Sequence, residues 1–220
     1  MLDIEISQRV KIVCPAITIG CIKAQVQVEN GSSELWKDID DYCDVLRKEI
    51  KLEEIAALPR IRDGREVYKK LGKAPSKYRL SSEALLRRVL QGKDVYKVNN
   101  VVDINNFISL KSKFSVGSYN VQNLHGLVSL MVGKTKEQYK GIGKEVISIE
   151  NLPVLTDHLG SFGSPTSDSE RAMVTNAAEE ILMCIFSFSG KENLEEYLQS
   201  AGQLLKKYAH GCTMETKIIQ

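Results

Sequence analysis

Residues 160–169, GSFGSPTSDS, gather Ser161, Ser164, Thr166, Ser167, Ser169 and Asp168 among two glycines and a proline. Small hydroxyls, glycines and one carboxylate can arrange backbone N–H groups and oxygens around a substrate. The same composition also suits a flexible surface loop. A second polar group lies in residues 99–110, NNVVDINNFISL, where Asn99, Asn100, Asp103, Asn105 and Asn106 accompany an apolar helical stripe. Three or four of these polar groups fall on one helical side, where they can hydrogen-bond a loop or a ligand. A third group is basic. Residues 60–93 carry eleven Lys or Arg against Asp63, Glu66 and Glu83, a local balance of +8. Tyr68 and Tyr78 lie within that window and Tyr96 just beyond it. Such a cluster is either a solvated face or a phosphate-binding surface.

Other chemistries fail on spacing. His125, His158 and His210 are far apart and match no metal-ligand pattern, and Asp157 and His158 are neighbours that point apart on a strand. The five cysteines, Cys14, Cys21, Cys43, Cys184 and Cys212, contain no C-x-x-C pair, which argues against structural zinc. Their odd number and scatter fit buried thiols in a reducing cytosol, and Cys184 within ILMCIFSF reads as core. Gly133-Lys134-Thr135 ends like a phosphate-binding loop, but Val128 stands where its first glycine belongs. Gly143-Lys144 fails in the same way, with Gln138 in that place and Glu145 where Ser or Thr is needed. Without the first glycine the backbone cannot wrap a phosphate. No metal and no cofactor is expected.

The elements that must position these groups follow from periodicity. Residues 17–28 read as a strand whose second half alternates as a half-buried one does, closed by an Asn30-Gly31 turn. Residues 32–58 read as a helix capped by Ser32 or Ser33 and ended by Pro59. A short helix over 65–71 stops at Gly72, and a polar connector leads to a helix capped by Ser81 or Ser82, with Glu83 in its first turn and Gly92 at its end. Residues 115–162 read as a meander of short strands. Residues 181–188 read as a buried strand, and residues 193–208 as an amphipathic helix with Leu194, Tyr197, Leu198, Ala201, Leu204, Leu205 and Tyr208 on one face.

The whole chain has 220 residues, 43% of them apolar, and a net charge of +2. A chain this long buries roughly 70% of its unfolded surface and needs no disulfide or metal to fold. It has no apolar run near the ~20 residues of a membrane span and no signal-peptide pattern at its start. A cytoplasmic, globular protein is expected. The +2 total conceals +8 over residues 60–93 and −6 elsewhere.

Three motifs together carry a family likeness: VDINN (residues 102–106), Tyr119-Asn120, and GKAPSKYR (72–79) followed by SSEAL (81–85). Over residues 60–188 the chain resembles the B3/B4 domain of the phenylalanyl-tRNA synthetase beta subunit, and most closely the free-standing proteins built from that domain. The likeness implies an α+β fold of mixed, mostly antiparallel sheets with helices packed on them. It divides a single B3/B4-like domain into a strand-helix portion (1–59), a recognisable core (60–188) and a C-terminal helix (189–220). It also implies removal of a mischarged amino acid from tRNA, by a deacylase acting in trans. On this reading Asp168, Ser164, Ser167 and Arg171 hold the attacking water, and the ribose hydroxyl of the substrate assists. Asn100, Asp103, Asn106, Tyr119 and Gly163 form the amino-acid pocket. Lys73, Lys77, Arg79, Arg87 and Arg88 contact the tRNA. Gly117 stands where the synthetase carries a histidine implicated in editing. That departure keeps a second expectation open, a non-catalytic tRNA- or RNA-binding module on the same fold. The sequence leaves open whether two copies associate.

Overall fold

The computed structural model describes residues 1–143 and 145–220. Lys144, part of the second failed phosphate-loop motif, lies outside the described residues. In chain order the elements are β1 (Ile4–Ile6), α1 (Gln8–Val13), β2 (Thr18–Gln25), α2 (Ser33–Glu49), α3 (Pro59–Lys70), α4 (Ser81–Leu90) and α5 (Asn100–Ser112). They continue with β3 (Ser115–Asn120), β4 (Val128–Val132), β5 (Gln138–Lys140), β6 (Val146–Ser148), β7 (Pro153–Asp157), β8 (Gly160–Gly163), β9 (Glu180–Ser187), α6 (Leu194–Tyr208) and β10 (Cys212–Ile219).

The strands form two four-stranded sheets and one hairpin. One sheet has the order β10-β2-β9-β3, with every neighbour antiparallel. The other has the order β1-β4-β7-β8, antiparallel except where β1 runs parallel to β4. The hairpin pairs β5 with β6. This is an α+β architecture, as the family likeness implies. The meander reading holds for β4, β7 and β8. β3 instead joins the other sheet, beside β9, because its six residues are all buried and need cover on both sides.

The apolar run on β9 accounts for its central place. Seven of its eight residues are buried, and it pairs with β2 on one side and β3 on the other. β2 is also interior, so its first five residues are buried in succession, not in alternation. α6 lies on β2 at Gly20, where a Cβ would come within 3.0 Å of Leu194 Cγ. Cys21 and Cys184 face each other across β2 and β9 with sulfurs 3.8 Å apart, and all five thiols are free.

Several local expectations are corrected. The helical pattern over 32–58 ends at Glu49 and resumes as a single 3-10 turn at Ile55–Ala57. Pro59 opens α3, since its missing N–H and fixed φ suit a first helical position. Ser32 does cap α2, accepting from Leu35 N at 3.2 Å. Neither Ser81 nor Ser82 caps α4, whose preceding residue is Leu80. The Ser81 N–H donates to the Pro165 carbonyl at 2.7 Å, and the Ser82 hydroxyl is buried 3.5 Å from that of Ser115.

Glu83 is fully buried on α4. Arg65 Nη1 on α3 donates to both of its oxygens at 2.9 Å, and Arg87 Nε, one turn on, donates to Oε1 at 3.0 Å. The acid that the sequence places in the first turn of this helix is thus the charged clamp between two helices. Replacing such a pair with apolar groups can be neutral, but removing one partner strands buried charge. Glu83→Ala should therefore lower stability by about 3–5 kcal/mol in urea denaturation at neutral pH, well beyond the ~1 kcal/mol typical of a surface ion pair.

Candidate active site

The loop over residues 164–169 is ordered from inside. Ser164 is 3% exposed, and its Oγ accepts N–H groups from Thr166 (3.3 Å) and Ser167 (3.1 Å) while donating to the Ser167 carbonyl at 2.8 Å. Asp168 Oδ1 accepts from Tyr119 Oη at 2.8 Å and from Ser164 N at 3.2 Å. Tyr139 Oη reaches the Ser167 carbonyl and lies 3.2 Å from Ser164 Oγ. Tyr68 Oη meets Thr166 Oγ1 at 2.8 Å. Three tyrosines therefore hold what composition alone allows as a flexible loop. Burial raises all three phenols above their ordinary range, and Asp168 adds to the effect at Tyr119 and Tyr139, so each stays protonated.

Tyr119 fits because two strands leave room for it. A Cβ on Gly117 would lie 2.2 Å from Tyr119 Oη, and one on Gly163 would lie 2.3 Å away. The same Gly117 Cβ would sit 3.2 Å from Asp168 Oδ2. A side chain at position 117 would enter the space occupied by the Tyr119 hydroxyl beside Asp168.

Asp168, Ser164, Ser167, Tyr119 and Gly163 are thus brought together. Arg171 is not among them. Its guanidinium pairs with Asp157 through two hydrogen bonds of 2.9 and 3.1 Å and also donates to the carbonyls of Asn123 and Gly160. Burial alone would raise the Asp157 carboxyl. The Arg171 bonds and the N–H groups of His125 and Leu159 outweigh it and hold the group below its ordinary value. His158 does not pair with this acid, and its ring packs over Gly126.

The α5 residues separate similarly. Asn99 caps the helix, accepting from Val102 N at 2.9 Å. Asn100 is fully buried and braces three segments: its oxygen accepts from Glu29 N, and its amide donates to the Gln27 and Tyr208 carbonyls, both at 2.9 Å. Asp103 accepts from Trp36 Nε1 at 3.1 Å and Val98 N at 3.0 Å, and burial raises its carboxyl above the usual range. Gly31, expected in a turn, instead packs here, where a Cβ would lie 2.4 Å from Asp103 Oδ2. Neither Asn100 nor Asp103 opens on a pocket. Asn106 does, together with Asn105, whose amide donates to the Val116 carbonyl and whose oxygen accepts from Ser118.

These two asparagines line a cavity of about 350 Å³ between α4, α5, β3 and the loop, along with Ser81, Arg88, Tyr96 and Thr166. Arg88 stacks on Tyr96 with its guanidinium 3.8 Å from the ring centre, and Nη1 reaches the phenol oxygen at 2.8 Å. Asp168 and Ser164 lie outside this lining. Among the other basic residues, Lys77 and Arg79 are exposed, and Lys73 sits 4.0 Å over the Tyr78 ring. Arg87 is committed to Glu83. Tyr68, counted in the sequence with the basic surface, is fully buried. Its supporting role and that of Tyr139 have no sequence signal, because both depend on contacts to Thr166 and Ser164 made through the fold.

An α+β module in which two sheets meet at a buried tyrosine, with a polar cavity between two helices beside it, is the class that this geometry defines. The B3/4 domain profile matches residues 63–209, and the chain belongs to the B3/4 domain family. Among solved structures 16 chains match. One is an N-terminal fragment of the phenylalanyl-tRNA synthetase beta-subunit from Pyrococcus horikoshii, 11% identical, aligned over 99% of this chain and 50% of its own, with a TM-score of 0.48. The chain spans about half the length of that fragment. A search of curated proteins finds no match. No described helix is long and apolar enough to cross a membrane.

Two predictions follow from this packing. Gly163→Ala forces Tyr119 aside and should cost about 1–3 kcal/mol as overpacking. In a Tyr119→Ala background that cost should nearly vanish, a non-additivity that a double-mutant cycle in urea would measure. Asp157→Asn should destabilise by about 2–3 kcal/mol at neutral pH. Because the folded carboxyl is depressed below its reference of 3.8, the stabilisation is present above that value and is lost as pH falls through the folded pKa. Variant and parent should therefore converge in acid.

Proposed function

We propose that this protein hydrolyses the ester between a mischarged amino acid and its tRNA, acting in trans, with the acceptor end held by basic side chains near the cavity. The observation that carries the reading is a convergence. Asn106, assigned to the amino-acid pocket, and Arg88, assigned to tRNA contact, line one cavity, and the ordered Ser164–Asp168 loop supplies its Thr166 wall. A cavity of about 350 Å³ lies within the range that holds a small ligand, and an amino acid is well below its upper limit.

In this reading the aminoacyl group enters between α4 and α5, its polar atoms meeting Asn105, Asn106 and Ser81. Arg88, Arg79, Lys77 and Lys73 attract the phosphates of the acceptor end. Hydrolysis adds water to the ester carbonyl, passes through a tetrahedral oxyanion and expels the ribose hydroxyl. Asp168, kept in place by Tyr119 and the Ser164 N–H, orients the water together with the Ser164 and Ser167 groups. The neighbouring ribose hydroxyl of the substrate shares the proton transfer. Arg171 acts indirectly, fixing the β7–β8 turn through Asp157. The reaction partner would be tRNA in the cytoplasm.

A second reading, a tRNA-binding module without catalysis, is favoured by one observation: Ser164 and Tyr119 are buried and lie outside the cavity lining. A panel of mischarged tRNAs separates the two. Hydrolysis of at least one member, lost by about 10²-fold or more in Asp168→Ala and with a raised KM in Asn106→Ala, supports the enzyme. Binding without hydrolysis, falling steeply with salt and weakened in a Lys77, Arg79 and Arg88 triple alanine variant, supports the module. No hydrolysis and no salt-sensitive binding would overturn both.

A further inference from the structure

A second cavity, of about 420 Å³, opens where the start of α3, the end of α5 and the segment before α6 meet. Its walls carry three cations, Arg60, Lys111 and Lys113, and two acids, Asp63 and Glu192. Among the described residues none of the three cations has a carboxylate within ion-pair distance, whereas Asp63 pairs with Arg62 at 3.2 Å. Arg60 is fixed before any ligand arrives. Nη2 donates to Asn193 Oδ1 at 2.9 Å, Nη1 donates to the Ser112 carbonyl, and the guanidinium lies 4.2 Å from the Phe114 ring centre and 5.1 Å from that of Tyr197.

Lys113 follows α5 in a left-handed conformation, φ 64°, which is sparsely populated for a side chain of this size. Its ammonium turns back to the Leu110 carbonyl and lies 3.3 Å from Tyr42 Oη. Burial, and secondarily the charge of Arg60, push its pKa down from 10.5 to about 8. The charged and titratable groups around it are Arg60 and Asp63 of α3, Tyr42 and Glu49 of α2, Lys111 of α5, Glu192 ahead of α6 and Tyr197 on it. Only Glu49 among these opposes the depression at Lys113. Asp63 and Glu192 in the walls, and Glu49 nearby, offset only part of the positive field of Arg60, Lys111 and Lys113.

We propose that this cavity binds a small monocarboxylate, gripped by Arg60 and Lys113. The lining balance is +1, which matches one negative charge and disfavours a polyanion. Arg60 and Lys113 supply the charge that a single carboxylate requires, and Leu58 and Pro59 offer apolar cover for a short carbon chain. The site is separate from the 350 Å³ cavity and does not depend on any reading of that one.

The test uses the full chain, with butyrate as the probe, inorganic phosphate as a more highly charged anion and butyramide as an uncharged isostere. Binding is followed by NMR titration of the lysine and arginine side chains. Butyrate should shift Arg60 and Lys113 saturably near pH 7. If the anion binds only with Lys113 protonated, its affinity should fall about tenfold from about pH 7 to about pH 9. Lys113→Arg should keep the affinity and flatten that profile. Lys113→Gln, with folding checked by far-UV circular dichroism, should lose most of the affinity. Absence of saturable butyrate binding, equal binding of butyramide, tighter binding of phosphate, or unchanged affinity in a folded Lys113→Gln would each overturn the proposal.

Discussion

The hydrogen bond from Tyr119 to Asp168 joins the two halves of this molecule. Tyr119 stands on β3, in the sheet built around β9, while Asp168 follows β8, in the other sheet. The contact is possible only because Gly117 and Gly163 leave the ring its space, and Phe162 closes the junction edge-on with ring centres 4.9 Å apart. A buried phenol without a partner would carry the cost of an unsatisfied donor, so the tyrosine requires the carboxylate. The carboxylate in turn fixes the Ser164 N–H, and Ser164 organises the next three residues of the loop. One interaction therefore sets both the sheet junction and the shape of the candidate site.

A second constraint redistributes the charge. Of the basic residues in the 60–93 window, Arg65 and Arg87 are drawn onto buried Glu83, and Arg60 is held between two aromatic rings at the other end of α3. Arg65 and Arg87 hold helices together and are not available to phosphates in the way that Lys77 and Arg79 are. A sum of charges along a sequence counts all of them alike. The exposed positive surface is consequently smaller than +8 implies: Lys70, Lys77, Arg79 and Lys93 are exposed, whereas Arg88 is half-buried against Tyr96.

The strongest sequence signals were those that packing alone decides. The apolar run of β9, the amphipathic face of α6 and the cap at Ser32 depend on burial and local hydrogen bonds, and they can be read from spacing. The B3/4 likeness is carried by VDINN (residues 102–106), by Tyr119-Asn120 and by GKAPSKYR followed by SSEAL, and the family match extends over residues 63–209. The misread positions were polar residues whose partners are remote in sequence. Asn100 bonds across 71 to 108 residues, Asp103 finds Trp36 across 67, and Arg171 finds Asp157 across a hairpin. Residue type announces that such a group will need a partner once buried, but it cannot say whether the partner is a ligand or the protein's own backbone. Tyr68 and Tyr139 illustrate the converse, since nothing in their neighbourhoods of the sequence points to Thr166 and Ser164.

The glycine at position 117 is best understood together with Tyr119. A histidine at 117 would begin with a Cβ 2.2 Å from the Tyr119 hydroxyl, so the two side chains cannot occupy this site in the present arrangement. The space at position 117 is filled by a phenol that burial keeps protonated, beside a carboxylate that accepts from it. A phenol locked in that state donates a hydrogen bond and does not act as a base near neutral pH, which leaves the carboxylate as the acceptor of the pair. The orientation of that carboxylate is set by the junction between two sheets.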